Sequence, residues 1–289
     1  MREIEQLLAR FSERKVFSLK EIKTTLAPLF DEILSRHRKG KTKIIGIQGG
    51  QGTGKTTVAE LFTKCLQYLQ YEVQYFSIDD FYKTYQERQK IRTKFKGNPY
   101  YEISRGMPGT HRVKELKKTL DLIRKGKPFT LPVFDKSLHH AQGDVSRKTI
   151  KVNKKQDFVF FEGWCVGIPP VSSNEFLEIS KKNKIDLARM DPNLNSHKAV
   201  LKEIPKYKSL WRDLDYLVML QPISSDLHKR WRYKQERKLK EKKGRGMSSK
   251  EIKHFVEPFL PFTYVCYEKI HPDARIMIKG NQVYFKLIK

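Results

Sequence analysis

Cysteine is scarce in this chain, and the three it has are badly placed for pairing. Cys65, Cys165 and Cys266 are odd in number, lie about a hundred residues apart and show no zinc-ligand spacing. That argues against a disulfide framework and points to reduced, buried thiols. The eight histidines form no HExxH pair, so a protein-bound zinc is not expected. Long apolar runs are missing as well. The longest, Phe158–Phe161 and Tyr216–Leu220, are strand-sized, against the roughly 20 residues of a membrane span. The N-terminus lacks a signal peptide's apolar core, and its basic residues alternate with Glu3, Glu5 and Glu13, unlike an acid-poor transit peptide. The expectation is a cytosolic protein without a membrane partner. Acid is the last deficit: 32 Asp and Glu face 59 Lys and Arg, a net charge of +27. Such an excess attracts nucleic acid, anionic surfaces or phosphorylated small molecules without choosing among them.

What is present begins with helices. Ile4, Leu7, Leu8 and Phe11 follow the stripe of an amphipathic helix. Ser18 and Glu21 spell a capping box before a second stripe through Ile22, Leu26, Leu29, Phe30, Ile33 and Leu34. Residues 1–40 therefore form a helical extension that packs on the remainder and does no chemistry. From Lys43 short apolar runs alternate with helical patterns: strands at Ile44–Ile47, Val73–Ile78, Phe158–Phe161 and Tyr216–Leu220, and helices at Thr56–Leu69 and Val113–Lys125. This alternation predicts an α/β domain over 41–289, a parallel sheet flanked by helices. Stretches 93–110 and 167–207 read as irregular. Near the C-terminus come a very basic helix (about 225 to 243), a helix opened by a Ser248/Glu251 capping box with a stripe of Ile252, Phe255, Val256 and Phe259, and a hairpin around Gly280-Asn281.

Between the first strand and its helix, Gly49-Gly50-Gln51-Gly52-Thr53-Gly54-Lys55-Thr56 matches G-x-x-x-x-G-K-[ST], followed by Thr57. The glycines let consecutive backbone N–H groups turn inward around phosphate oxygens, and the helix adds its positive end. In such a loop Lys55 reaches the β/γ-phosphates and the Thr56 hydroxyl ligates Mg²⁺. Residues 49–57 are thus expected to hold Mg·ATP, within a P-loop NTPase fold. The second strand ends in Asp79-Asp80. In a parallel sheet that end shares an edge with the P-loop, so one carboxylate can take the proton of an acceptor hydroxyl. Asp79 is favoured as that base and, with Thr56 and Glu162, as a residue on the metal; Asp80 is a second candidate for the base. Phe158–Phe161 ends in Glu162, the form of a Walker B acid that would hold Mg²⁺ or one of its waters.

The chain resembles the phosphoribulokinase/uridine kinase class of P-loop kinases, and within it the D-glycerate 3-kinase branch. The resemblance rests on GGQGTGKTT (49–57), SIDDFY (77–82), RGMPGTH (105–111), LPVFDKSLH (131–139), FEGWCVG (161–167), the stretch Trp231–Glu236, GMS (246–248) and HFVEPFLPFTY (254–264). It implies that Asp79 is the catalytic base, that Arg105, Thr110, His111, Asp135, Lys136 and His139 line the acceptor pocket, and that a basic lid spans about 225–247. Phe134 stands where this class often has Tyr. A small anionic acceptor suits these cations, whereas a nucleoside would need an aromatic slot, for which Phe81, Tyr82 and Trp164 are available. In the basic helix a solvated face, a lid that brings Arg230, Arg232 or Arg237 to the transferring phosphoryl group, and nucleic-acid binding all remain open. The expected activity is ATP-dependent phosphorylation of a small hydroxyl compound, D-glycerate first. Uridine, pantothenate or a sugar phosphate is the alternative acceptor. A nucleic-acid-associated NTPase is the alternative class, although no nucleic-acid motif is present. The oligomeric state is not legible.

Overall fold

Short runs of Ile, Val and Phe become strands because β-branched and aromatic side chains suit a pleated sheet buried on both faces. The computed structural model describes residues 3–12, 16–224, 226–243, 252 and 255–289. Its strands are β1 (Lys43–Gly49), β2 (Val73–Ser77), β3 (Phe129–Asp135), β4 (Asp144–Val152), β5 (Phe158–Gly163), β6 (Tyr216–Pro222), β7 (Ala274–Ile278) and β8 (Tyr284–Ile288). Six of them form one sheet in the order β2-β5-β1-β6-β7-β8. It is parallel from β2 to β7, with β8 antiparallel at the edge. β3 and β4 stand apart as an antiparallel hairpin, bulged between Pro132 and Phe134.

Alternation along the strands divides the core between the two faces. Ile44, Val159, Phe161 and Met219 join one cluster with residues of helices Val113–Arg124, Ser173–Lys182 and Leu260–Lys269. Ile45, Ile47, Phe158 and Phe160 join the other with helix Lys55–Tyr68 and the N-terminal helices. Among its described residues the N-terminal segment forms helices, which join the second cluster. Helix Glu3–Phe11 is followed by a helical run, Leu19–Glu21 and Ala27–Ser35, with a π-helical turn at Ile22–Leu26 between them. Ser18 and Glu21 form the capping box, and Phe30 packs edge-on to Phe62 at 5.2 Å. All three cysteines are free and buried. No helix among the described residues is long and apolar enough to cross a membrane.

Three features depart from the expected pattern. The stretch 167–207 is not irregular throughout, because Ser172 and Glu175 cap helix Ser173–Lys182. A polar helix, Tyr85–Lys94, opens on a Thr84/Glu87 capping box. The β3–β4 hairpin lies where the pattern predicts no strand. The Ser248/Glu251 box lies outside the described residues, although Ile252, Val256 and Phe259 of the stripe behind it are buried.

Candidate active site

The parallel register brings the carboxyl ends of three strands together. Ser77 of β2 and Ile47 of β1 both pair with Glu162 of β5, so the segments leaving these strands share one edge of the sheet. After β1 the chain makes the loop of residues 49–57 and enters helix Lys55–Tyr68. Gly54, the N-cap of that helix, has φ +88°, a left-handed conformation that glycine adopts without strain. Thr53 Oγ1 closes the loop on Gly50 O (2.9 Å), and Lys55 Nζ donates to the same carbonyl at 3.1 Å. All the residues expected to bind phosphate, Gly49 to Thr57, are therefore together in one loop and first helical turn.

Thr56 Oγ1 donates to Glu162 Oε1 at 3.0 Å. Burial pushes the Glu162 carboxyl up, while the Lys55 ammonium draws it down. Burial in turn lowers Lys55, against the charges of Glu162 and Asp79. One hydroxyl and one carboxylate oxygen suit Mg²⁺, which completes its shell with phosphate oxygens and water. Thr56 and Glu162 are the residues that would hold it, with Asp79 nearby. No group of three or more His, Cys, Asp or Glu that could itself hold a metal occurs among the described residues.

β2 ends in a single 3-10 turn, Ile78–Phe81, and this turn separates the two aspartates. Asp80 turns back and accepts the Ser77 N–H at 3.0 Å as part of a capping box. Asp79 instead accepts Tyr82 O–H at 2.7 Å and Lys136 Nζ at 2.8 Å. Burial would raise its pKa, but the Lys136 charge and the two hydrogen bonds outweigh burial and hold the carboxyl well below the usual range. Asp79 also raises the Lys136 ammonium.

The residues of the expected acceptor wall are dispersed. Lys136 meets Asp79, and Arg105, whose charge opposes the Lys136 ammonium, has its Nη1 on Ala141 O (2.8 Å) and its guanidinium 5.9 Å from the Phe134 ring centre. His111 is buried and stacked on Tyr82 at 4.6 Å. Its Nδ1 bonds Tyr207 OH at 2.8 Å, its Nε2 has no partner, and burial pushes it down to about 4. Thr110 is spent on its own turn, donating to Met107 O and accepting Gly106 N. Asp135 accepts from Ser137, and His139 stacks on Tyr85 and bonds Asp144. Neither shares a contact with Asp79. Arg230 turns to Asp226 of its own helix, Asp226–Lys243, with 3.8 Å between the charges, and Arg232 lies 5.0 Å from the Phe255 ring centre.

Two features of the site are not legible in the sequence. Arg88 is buried, sits 5.0 Å from the Phe134 ring centre and donates to the carbonyls of Lys83, Ser104, Gln142 and Gly143. It ties three loops of the expected acceptor wall together, and nothing in a polar helix marks it; the Thr84/Glu87 box would at least have located that helix. The aromatic slot is also missing: Phe81 and Trp164 are core residues, Trp164 Nε1 donating to Gly106 O, and Tyr82 is covered by His111.

The sequence pattern of the Phosphoribulokinase / Uridine kinase family matches residues 44–168. An uncharacterized kinase, mug58, of Schizosaccharomyces pombe is 32% identical over 254 residues, covering 84% of this chain and 89% of its own. The chloroplastic D-glycerate 3-kinase of Arabidopsis thaliana is 26% identical over 274 residues, 86% of this chain and 57% of its own. A solved D-glycerate 3-kinase structure from Cryptococcus neoformans var. grubii superimposes with TM-score 0.79 at 23% identity, covering 100% of this chain and 99% of that one. That likeness bears on the fold.

Proposed function

This chain belongs to the phosphoribulokinase/uridine kinase family, and we propose that within it the protein transfers the γ-phosphoryl group of ATP to D-glycerate, giving 3-phosphoglycerate. The observation that carries this reading is the Lys136–Asp79 ion pair at 2.8 Å. A hydroxy acid brings its own carboxylate to that cation, and Arg105 stands by as a second partner suited to carboxylate geometry. The burial of Phe81, Tyr82 and Trp164 removes the side chains that would stack a nucleobase. The named activity of the Arabidopsis relative points the same way.

The loop of residues 49–57 holds the ATP phosphates, and Lys55 leaves Gly50 O for the β/γ-phosphates. Mg²⁺ held by Thr56 and Glu162, when bound, supplies charge neutralisation of the phosphates. Acceptor binding draws Lys136 toward the substrate carboxylate, and Asp79, losing its cation, becomes more basic when a base is needed. Asp79 then takes the hydroxyl proton, the hydroxyl oxygen bonds the γ-phosphorus, and the bond to the β–γ bridging oxygen breaks to release ADP. The rest is positioning, and Arg230 or Arg232 closes over the transferring group.

The test is ADP release measured against D-glycerate, uridine, pantothenate, ribulose 5-phosphate and single-stranded nucleic acid, with the product identified by mass and NMR. Glycerate-dependent release yielding the 3-phosphate supports the reading. Release driven by another acceptor, or by nucleic acid alone, overturns it.

A further inference from the structure

A phosphate-binding loop turns N–H groups inward and leaves carbonyls to be satisfied elsewhere, and here each of four consecutive carbonyls, Gly50 to Thr53, is met by a side-chain donor. Gly50 O accepts from Lys55. Gln51 O bonds His228 Nδ1 at 2.9 Å, Gly52 O accepts from Gln282 Nε2 at 2.9 Å, and Thr53 O accepts from Tyr284 OH at 2.5 Å. The donors to Gln51, Gly52 and Thr53 come from the last sixty-odd residues of the chain, far from the loop in sequence, whereas Gly50 O is met locally by Thr53 and Lys55. Gly50 N–H donates to Tyr267 OH at 3.0 Å, and Tyr267 OH lies 3.2 Å from His228 Nε2.

Donor and acceptor logic fixes the protons. A carbonyl only accepts, so His228 Nδ1 carries the hydrogen toward Gln51 O, and Nε2 is left to accept from Tyr267 O–H. The tyrosine oxygen is then free to accept the Gly50 N–H. The circuit needs a neutral imidazole, and burial, the main influence on His228, pushes it down to about 4. The fit is close: a Cβ on Gly50 would lie 2.2 Å from His228 Cε1. Gln282 holds φ +64° in the β7–β8 turn, a left-handed conformation unusual for a residue with a Cβ, and from there its amide reaches Gly52 O.

We propose that His228, Tyr267, Gln282 and Tyr284 are positioning residues for the nucleotide: they clamp the phosphate loop from behind and hold its peptides in the orientation that binds phosphate. The proposal rests on the reading of residues 49–57 as the ATP site. With a donor on each of these four carbonyls, the cost of ordering the loop is met in folding, and less is left for the nucleotide to supply.

The experiment is calorimetric titration of the full chain with Mg·ATP and Mg·ADP, alongside thermal melting and the acceptor KM. Tyr284→Phe keeps the ring, which packs 5.2 Å from Phe17, and removes only the donor to Thr53 O. Gln282→Ala removes the donor to Gly52 O. Each should weaken both nucleotides about three- to tenfold, the effect of one hydrogen bond, with the acceptor KM unchanged and melting little moved. The double variant should multiply the two losses. His228→Asn, which keeps a donor for Gln51 O, should bind better than His228→Leu. Nucleotide affinity within twofold of wild type in Tyr284→Phe, Gln282→Ala and their double overturns the clamp. A wild-type chain that binds neither nucleotide overturns the ATP site and the clamp together.

Discussion

On the phosphate side of the cleft the residues expected to bind are contiguous, 49–57, and the Glu162 that joins them is buried at a strand end. On the proposed acceptor side Asp79, Arg105 and Lys136 come from three separate segments, and Lys136 reaches Asp79 from an exposed turn, with 58% of its side chain accessible. The first wall is largely backbone held by the sheet. The second is side chains held by one another. Phosphate is common to every member of a P-loop fold and can be bound by a fixed nest, whereas an acceptor is chosen by a few side chains on adjustable loops. Changes on the acceptor side should therefore alter transfer and acceptor affinity while leaving the nucleotide alone.

The largest break should come at the join between the walls. Asp79→Asn keeps the shape and removes the base, so kcat should fall about 10³-fold, with the Kd for Mg·ATP within a factor of two by calorimetry. Near-normal turnover would remove Asp79 from the role of base. Next comes Arg88, whose guanidinium meets four loop carbonyls from a buried position. Arg88→Met leaves them unpaired and should cost roughly 3 kcal/mol in urea unfolding. Unchanged stability would show that the acceptor wall holds without it.

Lys136→Met should be milder and should separate the walls cleanly. Losing one charged contact to the acceptor lowers kcat/KM for glycerate about 10- to 100-fold, with nucleotide affinity unchanged. It also leaves Asp79 without its cation. A depressed carboxylate stays ionised down to low pH, and activity is lost as pH falls through its pKa. Removing Lys136 raises that pKa, so the acidic limb of the pH–rate profile should move to higher pH. The kcat/KM profile reports the free enzyme, before the acceptor draws Lys136 away, so a limb that stays in place there would show that Lys136 does not hold Asp79 down.

The same contrast governs what could be read from sequence. β1, the loop after it and the β5–Glu162 end are legible because each is a local spelling: an apolar run followed by a motif or a lone acid. Asp79 and Asp80 are adjacent and alike in sequence, and only the 3-10 turn tells them apart by directing Asp80 back to Ser77 N. The β3–β4 hairpin is hidden because Pro132 interrupts its pattern and its long turn adds positive φ at His139, His140 and Ala141 to that of Gly143, unlike a short glycine turn. Thr110, Asp135 and His139 enter by resemblance; here Thr110 and Asp135 bond within their own turns, and His139 stacks on Tyr85 and bonds Asp144. Arg88 is invisible for a different reason: its partners are carbonyls, and no side-chain pattern records a carbonyl.

The N-terminal extension supplies the smallest effect and a control for the comparison. Ser18 Oγ donates to Glu21 Oε2 at 2.7 Å and accepts Glu21 N at 3.3 Å, while Glu21 Oε1 accepts Tyr284 N at 2.9 Å. Ser18→Ala removes the cap hydroxyl but leaves Glu21 its bond to Tyr284, so the link between this helix and β8 survives. Stability should fall by about 1 kcal/mol, read as a lower denaturation midpoint with an unchanged slope. Nucleotide Kd, acceptor KM and kcat should all stay at wild-type values, because neither wall of the cleft includes Ser18. A change in nucleotide affinity alone would mean that the extension acts on the phosphate loop through Tyr284, joining a region read as packing to the site itself.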